Sequence, residues 1–148
     1  MTGARAVRLA RVSLVLAALA YAGFGVATLV RPSVLNVLGI ELLRPAASTE
    51  IRAFYGGLEL GMALFFARAA AEPAWFRPAL FAQAASLGGV VLARLAGIAV
   101  DGSGEPLVLL LGAAEGAGAL LGLVALRRLN AAEASGADTA FRGGAGAG

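Results

Sequence analysis

The sequence predicts an all-α fold, a bundle of four transmembrane helices with a short interfacial helix after the first span. Hydrophobic residues make up 59% of the 148 residues, and charged residues only 14%. Water-soluble domains contain about 45–50% apolar and about 25% charged residues. Four apolar runs have the roughly 20 residues that cross the hydrocarbon core of a bilayer. The length fits one domain.

The predicted spans lie at about 12–30, 51–71, 79–100 and 107–126, inside a membrane domain of residues 1–129. Pro78 and Pro106 stand at the starts of the third and fourth spans, where a missing backbone N–H costs nothing. The first run follows several arginines, as in a signal peptide. It is longer than the apolar region of a signal peptide and three spans follow, so we expect a retained helix.

The connections between the spans differ in character. Residues 31–50 form the longest, and apolar residues recur there at helical spacing after Pro32 and Ser33, which predicts the short helix at the interface. Glu72 to Arg77 is a turn with an aromatic pair, and Asp101 to Glu105 is a sharp turn. Residues 130–148 are rich in Ala and Gly and are expected to form a disordered tail.

Arginine placement predicts the orientation. All 12 basic residues are Arg, a composition typical of GC-rich bacterial genomes. The N-terminus, the second connection and the C-terminus are basic, whereas Arg31 and Arg44 on the opposite side are balanced by acidic residues. The positive-inside rule then places both termini in the cytoplasm, in a bacterial cytoplasmic (inner) membrane.

Composition also limits the chemistry. The absence of Cys removes disulfides and thiolate metal sites, and the absence of His removes the usual haem ligand and commonest general base. We therefore expect no cofactor and no metal site. The net charge of +3 does not indicate nucleic-acid binding, because the arginines are dispersed between apolar spans. The expected partners are the lipid bilayer and either a second copy or another membrane protein.

Charged residues within the spans are the candidate site, because each costs about 2.5–3.5 kcal/mol to insert. At about 1.5 Å per residue, Glu59, Arg94 and Glu115 converge on one level in the outer half of the membrane. They have two main interpretations: an ion-pair network that fixes helix docking, or an outward-open polar pocket that binds a ligand or relays protons. A third is that the faces do not meet. The full predicted cluster is Arg52, Tyr55, Glu59, Arg94, Asp101 and Glu115.

Glycines on the spans predict close helix packing. GxxxG spacing allows two helix backbones to approach closely. With 21 Gly in the chain, each such pair is a weak signal by itself. The predicted packing glycines are Gly56, Gly57, Gly61, Gly97, Gly112 and Gly116.

Two motifs carry a family resemblance. Glu50 to Gly61, EIRAFYGGLELG, resembles the signature of a bacterial membrane family known as domain of unknown function 4345. Arg94 to Gly97, followed by Asp101-Gly102, resembles its second motif, and the similarity covers about residues 9 to 127. That family is similar to the DoxX-like group, which implies a four-helix bundle. The motif residues map onto Arg52, Tyr55, Gly56, Gly57, Arg94, Gly97, Asp101 and Gly102.

The sequence leaves three hypotheses for function, and no arrangement of residues indicates a particular reaction. The first is an outward-facing intramembrane polar pocket that binds a small lipophilic or anionic ligand. The second is an accessory or structural subunit of a larger membrane complex. The third, implied by quinone or thiol redox associations of some DoxX-like proteins, is a quinone-linked membrane oxidoreductase component.

Overall fold

The computed structural model describes the backbone of residues 3–145 and the side chains through residue 135. Within this range the chain is all-α and contains no strand. The α-helices are α1 (Gly3–Val30), α2 (Pro45–Ile51), α3 (Leu58–Ala71), α4 (Phe76–Asp101) and α5 (Pro106–Ala145). Two 3-10 helices, Pro32–Leu38 and Pro73–Trp75, and one π-helix, Arg52–Gly57, complete the described elements.

The second predicted span is the part that differs from the expected four helices. Five α-helices are present in the described part, because the helix of this span begins earlier, at Pro45, and a π-helix separates its first part, α2, from α3. No residue between 45 and 71 leaves the helical conformation, so the segment is nevertheless continuous. Three helical segments of the described chain are long and apolar enough to cross a membrane, namely Gly3–Val30, Pro73–Asp101 and Pro106–Ser135.

Two other predicted segments, the connection after the first span and the C-terminal tail, also differ from the structure. The connection after α1 does form a helix, but it is a seven-residue 3-10 helix that ends at Gly39, whose φ is +76°. At the other end α5 continues to Ala145, where the composition led us to expect a disordered segment from residue 130. Alanine is the strongest helix former, which favours this extension of the last span. Residues 146–148 lie outside the described residues.

Helix α1 is the central element of the packing. It contacts α3 and the π-helix on one side, and α4 and α5 on the other. Helices α4 and α5 form a second close pair. Side chains from α1, α3, α4 and α5 can therefore meet around α1, which is what a site shared between distant parts of the sequence requires.

Burial divides the molecule into two halves. We call the closed half the region of residues 3–18, 62–83 and 122–135, which contains the whole hydrophobic core. Its largest fully buried side chains include Phe66, Phe76, Leu14 and Leu80. The open half comprises residues 19–30, 52–61, 84–101 and 106–121. There, the buried residues are Gly25, Thr28 and Gly56, all at the contact between α1 and the π-helix.

Candidate functional site

An ion pair between α4 and α5 lies in the open half. Nε of Arg94 donates to Oε2 of Glu115 at 2.9 Å, and one terminal nitrogen of Arg94 donates to Oε1 at 2.7 Å. Only 22% and 21% of the two side chains are exposed. A Cβ added at Gly112 would lie 3.0 Å from Cδ of Arg94, so this glycine makes room for the arginine stem. The pair has the two-point geometry that is strongest for arginine and carboxylate.

Glu59 lies near this pair but is not joined to it. Its carboxylate is within electrostatic range of Glu115, and Tyr21 is within range of both. Across the side chains that the structure describes, Glu59 makes no hydrogen bond and no ion pair. The sequence-based expectation that Arg94 is shared between the two carboxylates therefore differs from the geometry, in which the guanidinium faces Glu115 alone.

The other members of the predicted cluster lie apart from the ion pair. Nε of Arg52 donates to the carbonyl oxygen of Leu29 at 3.1 Å, at the C-terminal end of α1. The Tyr55 ring meets Phe24 edge to face, with centroids 6.3 Å apart. Asp101 is exposed at the last residue of α4. The structure thus pairs Arg94 with Glu115, brings Glu59 nearby, and leaves the remaining three at the end of the open half.

The π-helix coincides with the first sequence motif, RAFYGG. Here α1 and the π-helix approach very closely, since a Cβ at Gly56 would lie 3.0 Å from Leu29 Cβ and one at Gly25 would lie 3.1 Å from the Gly56 carbonyl oxygen. The Thr28 hydroxyl donates to the Tyr55 carbonyl oxygen. A π-turn shifts the backbone hydrogen bonding from i→i+4 to i→i+5 and is frequent at functional sites. The glycines therefore position the segment that precedes Glu59.

The predicted packing glycines fall into two groups. At Gly56 and Gly112, an added Cβ would lie 3.0 Å from atoms of another helix, closer than ordinary van der Waals contact, and Gly116 is in ordinary contact with Val91. An added Cβ at Gly57 or Gly97 would meet only atoms of the neighbouring helical turn, and one at Gly61 would meet nothing. Further close approaches occur at Gly118 and Gly122, which also have GxxxG spacing, and at Gly25, which was not a predicted packing position.

A chain of polar side chains through the bundle was missed by sequence reasoning. Ser13 donates to Oε1 of Gln83 at 3.1 Å, and Nε2 of Gln83 donates to the Gly118 carbonyl oxygen at 2.9 Å. Tyr21 and Ser86 share a hydrogen bond of 3.1 Å. The spacing of Gln83, Ser86 and Arg94 along the sequence puts them on one face of a helix. Nothing in the sequence, however, indicated that α1 would supply their partners.

Two cavities lie beside these residues. The deeper one, of about 370 Å³, lies between α1, α4 and α5, with Tyr21, Gln83 and Glu115 as its polar residues. The rest of its lining is apolar or small: Leu16, Ala17, Ala20, Leu87, Ala114, Ala117, Gly118 and Leu121. A more open groove of about 330 Å³ runs along the π-helix and is lined by Glu50, Ile51, Phe54, Tyr55, Leu58 and Glu59.

No metal-binding cluster of three or more Asp or Glu side chains occurs among the described residues. The polar groups of the deeper cavity are instead a phenol, an amide and a carboxylate paired with Arg94, and the rest of the wall is apolar. Such a lining can hold an uncharged or singly charged organic molecule by one polar group. It has few charged groups with which to hold a polyvalent ion.

Comparison with known proteins gives one match. No curated protein and no solved structure is similar to this chain at a significant level. Residues 9–126 match the family described as "Domain of unknown function (DUF4345)". The match includes most of α1, the π-helix, α3, α4, both sequence motifs and the Arg94–Glu115 pair. Because the match covers most of the sequence, the chain belongs to the family of the domain of unknown function 4345.

Proposed function

We propose that this chain is a four-pass protein of a bacterial cytoplasmic membrane whose intramembrane polar pocket binds a small lipophilic ligand. The observation that carries the proposal is the deeper cavity between α1, α4 and α5. Its volume of about 370 Å³ falls within the roughly 300–1,000 Å³ of small-molecule sites. Like such sites, it combines a mostly apolar wall with a few placed polar groups.

The proposed fourth crossing is the helical segment made of α2, the π-helix and α3. The continuous segment from residue 45 to residue 71 rises about 1.5 Å per residue in its α-helical parts. It is therefore longer than the hydrocarbon core, which is about 30 Å thick. Four crossings would place the arginines at the start of α1, the end of α3 and the start of α4 on one face, as the positive-inside rule requires.

The position of the cavity supports a ligand that arrives through the lipid. Leu16 and Ala20 of α1 and Ala114 and Ala117 of α5 belong to its lining and are exposed. In a bilayer these residues would face the acyl chains, so the cavity would be accessible from the hydrocarbon region between α1 and α5. A ligand with a substantial apolar part partitions into that region and can reach the polar groups from there.

Native mass spectrometry after extraction in mild detergent tests the pocket. We expect a retained small molecule on the wild-type protein, and its loss from Ala117→Leu, which fills the cavity. Ala113→Leu is the matched control, because Ala113 is exposed on the same helix and does not line the cavity. Equal ligand retention by the two variants, or no retained molecule in wild type and no binding of added lipophilic probes, would refute the proposed pocket.

Reporter fusions test the topology. A reporter fused after Arg128 should report a cytoplasmic location, and one inserted between Gly102 and Ser103 should report the opposite side. The arginine bias is the physical reason. The same location for both reporters would contradict the single crossing by α5 between Gly102 and Arg128, whereas reversed locations would invert the orientation.

An accessory subunit is the second candidate, because α5 has a large apolar surface without a partner in the chain. Only 6% of the apolar stretch of α5 is buried inside the molecule, compared with 33% of the apolar stretch of α1. Lipid or another protein could cover this surface. The mass spectrum decides between them, since a stoichiometric protein partner would support the accessory role. A retained quinone would instead support the redox role.

A further inference from the structure

The hydrogen-bond donors around the deeper cavity are already used within the protein. Nε2 of Gln83 donates to the Gly118 carbonyl oxygen, which fixes the orientation of the amide and makes Ser13 the donor to Oε1. The Gln83 side chain is only 1% exposed, so its second N–H is not available to a ligand. The amide therefore offers the cavity no donor.

The same reasoning applies to the two hydroxyl groups. Ser86 donates its hydroxyl proton to the carbonyl oxygen of Gln83 at 3.3 Å. A hydroxyl has one proton, so in this arrangement Tyr21 is the donor in its bond with Ser86, in which either oxygen could donate. The Tyr21 oxygen then keeps free lone pairs and no free proton. Tyr21 therefore offers a ligand a hydrogen-bond acceptor.

Glu115 adds the strongest acceptor. Each of its oxygens accepts one hydrogen bond from Arg94, at 2.9 and 2.7 Å, and a carboxylate oxygen has room for a second. Arg94 itself does not line the cavity. The polar groups that line the cavity and remain available are therefore the Tyr21 oxygen and the Glu115 carboxylate, and both accept hydrogen bonds.

The charge of the region points in the same direction. Glu59 and Glu115 lie within electrostatic range of one another, and Arg94 supplies one positive charge, which it directs to Glu115. Glu59 has no ionic partner among the described side chains. With both carboxylates ionised, Glu59, Glu115 and Arg94 together carry one net negative charge. An unpaired charge is costly inside a membrane. A cation beside Glu115 would offset it.

We propose that the ligand of this pocket is a small lipophilic amine bound as the ammonium ion. This inference rests on the pocket proposed above. The ammonium group donates hydrogen bonds to the Glu115 carboxylate and the Tyr21 oxygen. Its hydrocarbon part packs against the leucines of the wall, Leu16, Leu87 and Leu121. Ligands whose polar group only accepts hydrogen bonds, such as carboxylates and oxidised quinones, find no free donor among the lining side chains.

The test uses the full chain in nanodiscs of zwitterionic lipid, with empty nanodiscs subtracting partition into lipid. Four probes share an eight-carbon chain: octylamine, octanol, octanoate and octyltrimethylammonium. A hydrogen bond to a charged group contributes about 1.5–3 kcal/mol, so octylamine should bind roughly 10–100-fold more tightly than octanol by calorimetry. Octyltrimethylammonium, which is a cation without an N–H donor, should bind more weakly than octylamine. Octanoate should show no saturable binding.

Two conservative variants locate the effect. Glu115→Gln should abolish the preference for octylamine over octanol while octanol binding persists, and Tyr21→Phe should reduce it. Glu50→Gln is the control, because Glu50 lines only the other groove and should leave the preference unchanged. If Glu115→Gln does not fold, Tyr21→Phe keeps the inference testable, because wild-type preference in that variant would contradict it.

Failure of this inference differs from failure of the pocket. Octanol binding as tightly as octylamine, with both lost in Ala117→Leu, would leave the pocket in place and overturn the amine. A preference for octylamine that survives both Glu115→Gln and Tyr21→Phe would also overturn it. Absence of saturable binding for every probe would refute the pocket and the inference together.

Discussion

The closed and open halves of the bundle solve the same packing problem with different residues. The closed half is filled by alanine and large apolar side chains, and Phe66, Phe76, Leu14 and Leu80 are almost completely buried. The open half buries two glycines and one threonine at the contact of α1 with the π-helix. It also contains Arg94, Glu59 and Glu115, the charged residues that are most costly in a membrane.

The difference teaches that the charges lie where the helices are least tightly packed. Between transmembrane helices, packing and hydrogen bonding drive association, because lipid is as apolar as the side chains. A tightly packed closed half can hold the bundle together by packing. The open half is then free to keep a cavity and an ion pair, which a uniform bundle would have filled with side chains.

The largest effect is expected from breaking the ion pair of the open half. Arg94→Ala strands the Glu115 carboxylate, and loss of one partner of a buried pair costs about 3–5 kcal/mol. The double variant Arg94→Leu with Glu115→Gln should be more stable than Arg94→Ala, since no charge is left unpaired. Thermal denaturation in detergent measures both. An Arg94→Ala variant as stable as wild type would mean that this pair does not support the open half.

The next effect is expected in the core of the closed half. Phe66 is 0% exposed and contacts Tyr21 and Phe65 at ring-centroid distances of 5.3 and 5.4 Å. Phe66→Ala should destabilise the protein by roughly 2 kcal/mol, because the cavity cost remains while lipid lessens the transfer cost.

Phe24 is the counterpart of Phe66 in the open half, where it is 39% exposed and has one ring contact, with Tyr55. Phe24→Ala should lower the melting temperature less than Phe66→Ala, in the same denaturation assay. Equal losses for the two variants would show that packing stabilises both halves alike.

A smaller effect separates two glycines of the same predicted motif. Gly56→Ala brings a Cβ to 3.0 Å from Leu29 Cβ and 3.1 Å from its Cα, so Leu29 and α1 must give way by a few tenths of an ångström, at a cost of about 1 kcal/mol. Gly61→Ala meets nothing within 4 Å and should be neutral or stabilising, since Ala favours a helix by up to about 1 kcal/mol. Urea or thermal denaturation of the two variants measures the contrast. The reverse order of stability would contradict the close approach.

The smallest effect concerns an ion pair of the closed half. Arg77 and Glu133 join α4 to α5, but their side chains are 46% and 68% exposed. Glu133→Gln should change stability by less than about 1 kcal/mol, as is usual for solvent-exposed pairs. The comparison with Arg94→Ala under identical conditions tests whether burial, rather than charge pairing as such, distinguishes the two halves.

Sequence reasoning worked best for features set by a single helix. The apolar runs predicted the helical class and three of the segments long enough to cross a membrane, because hydrophobic length is a local property. The proximity of Arg94 and Glu115 followed from depth, since α4 and α5 are adjacent antiparallel helices. The π-helix between α2 and α3 was not predicted. The hydropathy of RAFYGG does not depend on whether its backbone hydrogen bonds run from i to i+4 or from i to i+5.

Features set by contacts between helices were harder to predict. The arginine was assigned to two carboxylates because residue depth is visible in the sequence but helix rotation is not. Likewise, the GxxxG pair of this span is Gly57 and Gly61, whereas the glycine that meets α1 is Gly56. Tyr21 was not among the residues of the predicted cluster. Its hydrogen bond to Ser86 depends on a partner 65 positions away.

The π-helix has a consequence for how the second span could be re-engineered. A turn closed from residue i to i+5 holds one residue more than an α-helical turn, so it is the shape that a helix takes when one amino acid is inserted without displacing either end. Deleting Ala53 would return the segment to the ordinary repeat and rotate Glu50 and Arg52 relative to Glu59. The extra residue thus acts as an angular offset between the N-terminal end of this helical segment and Glu59.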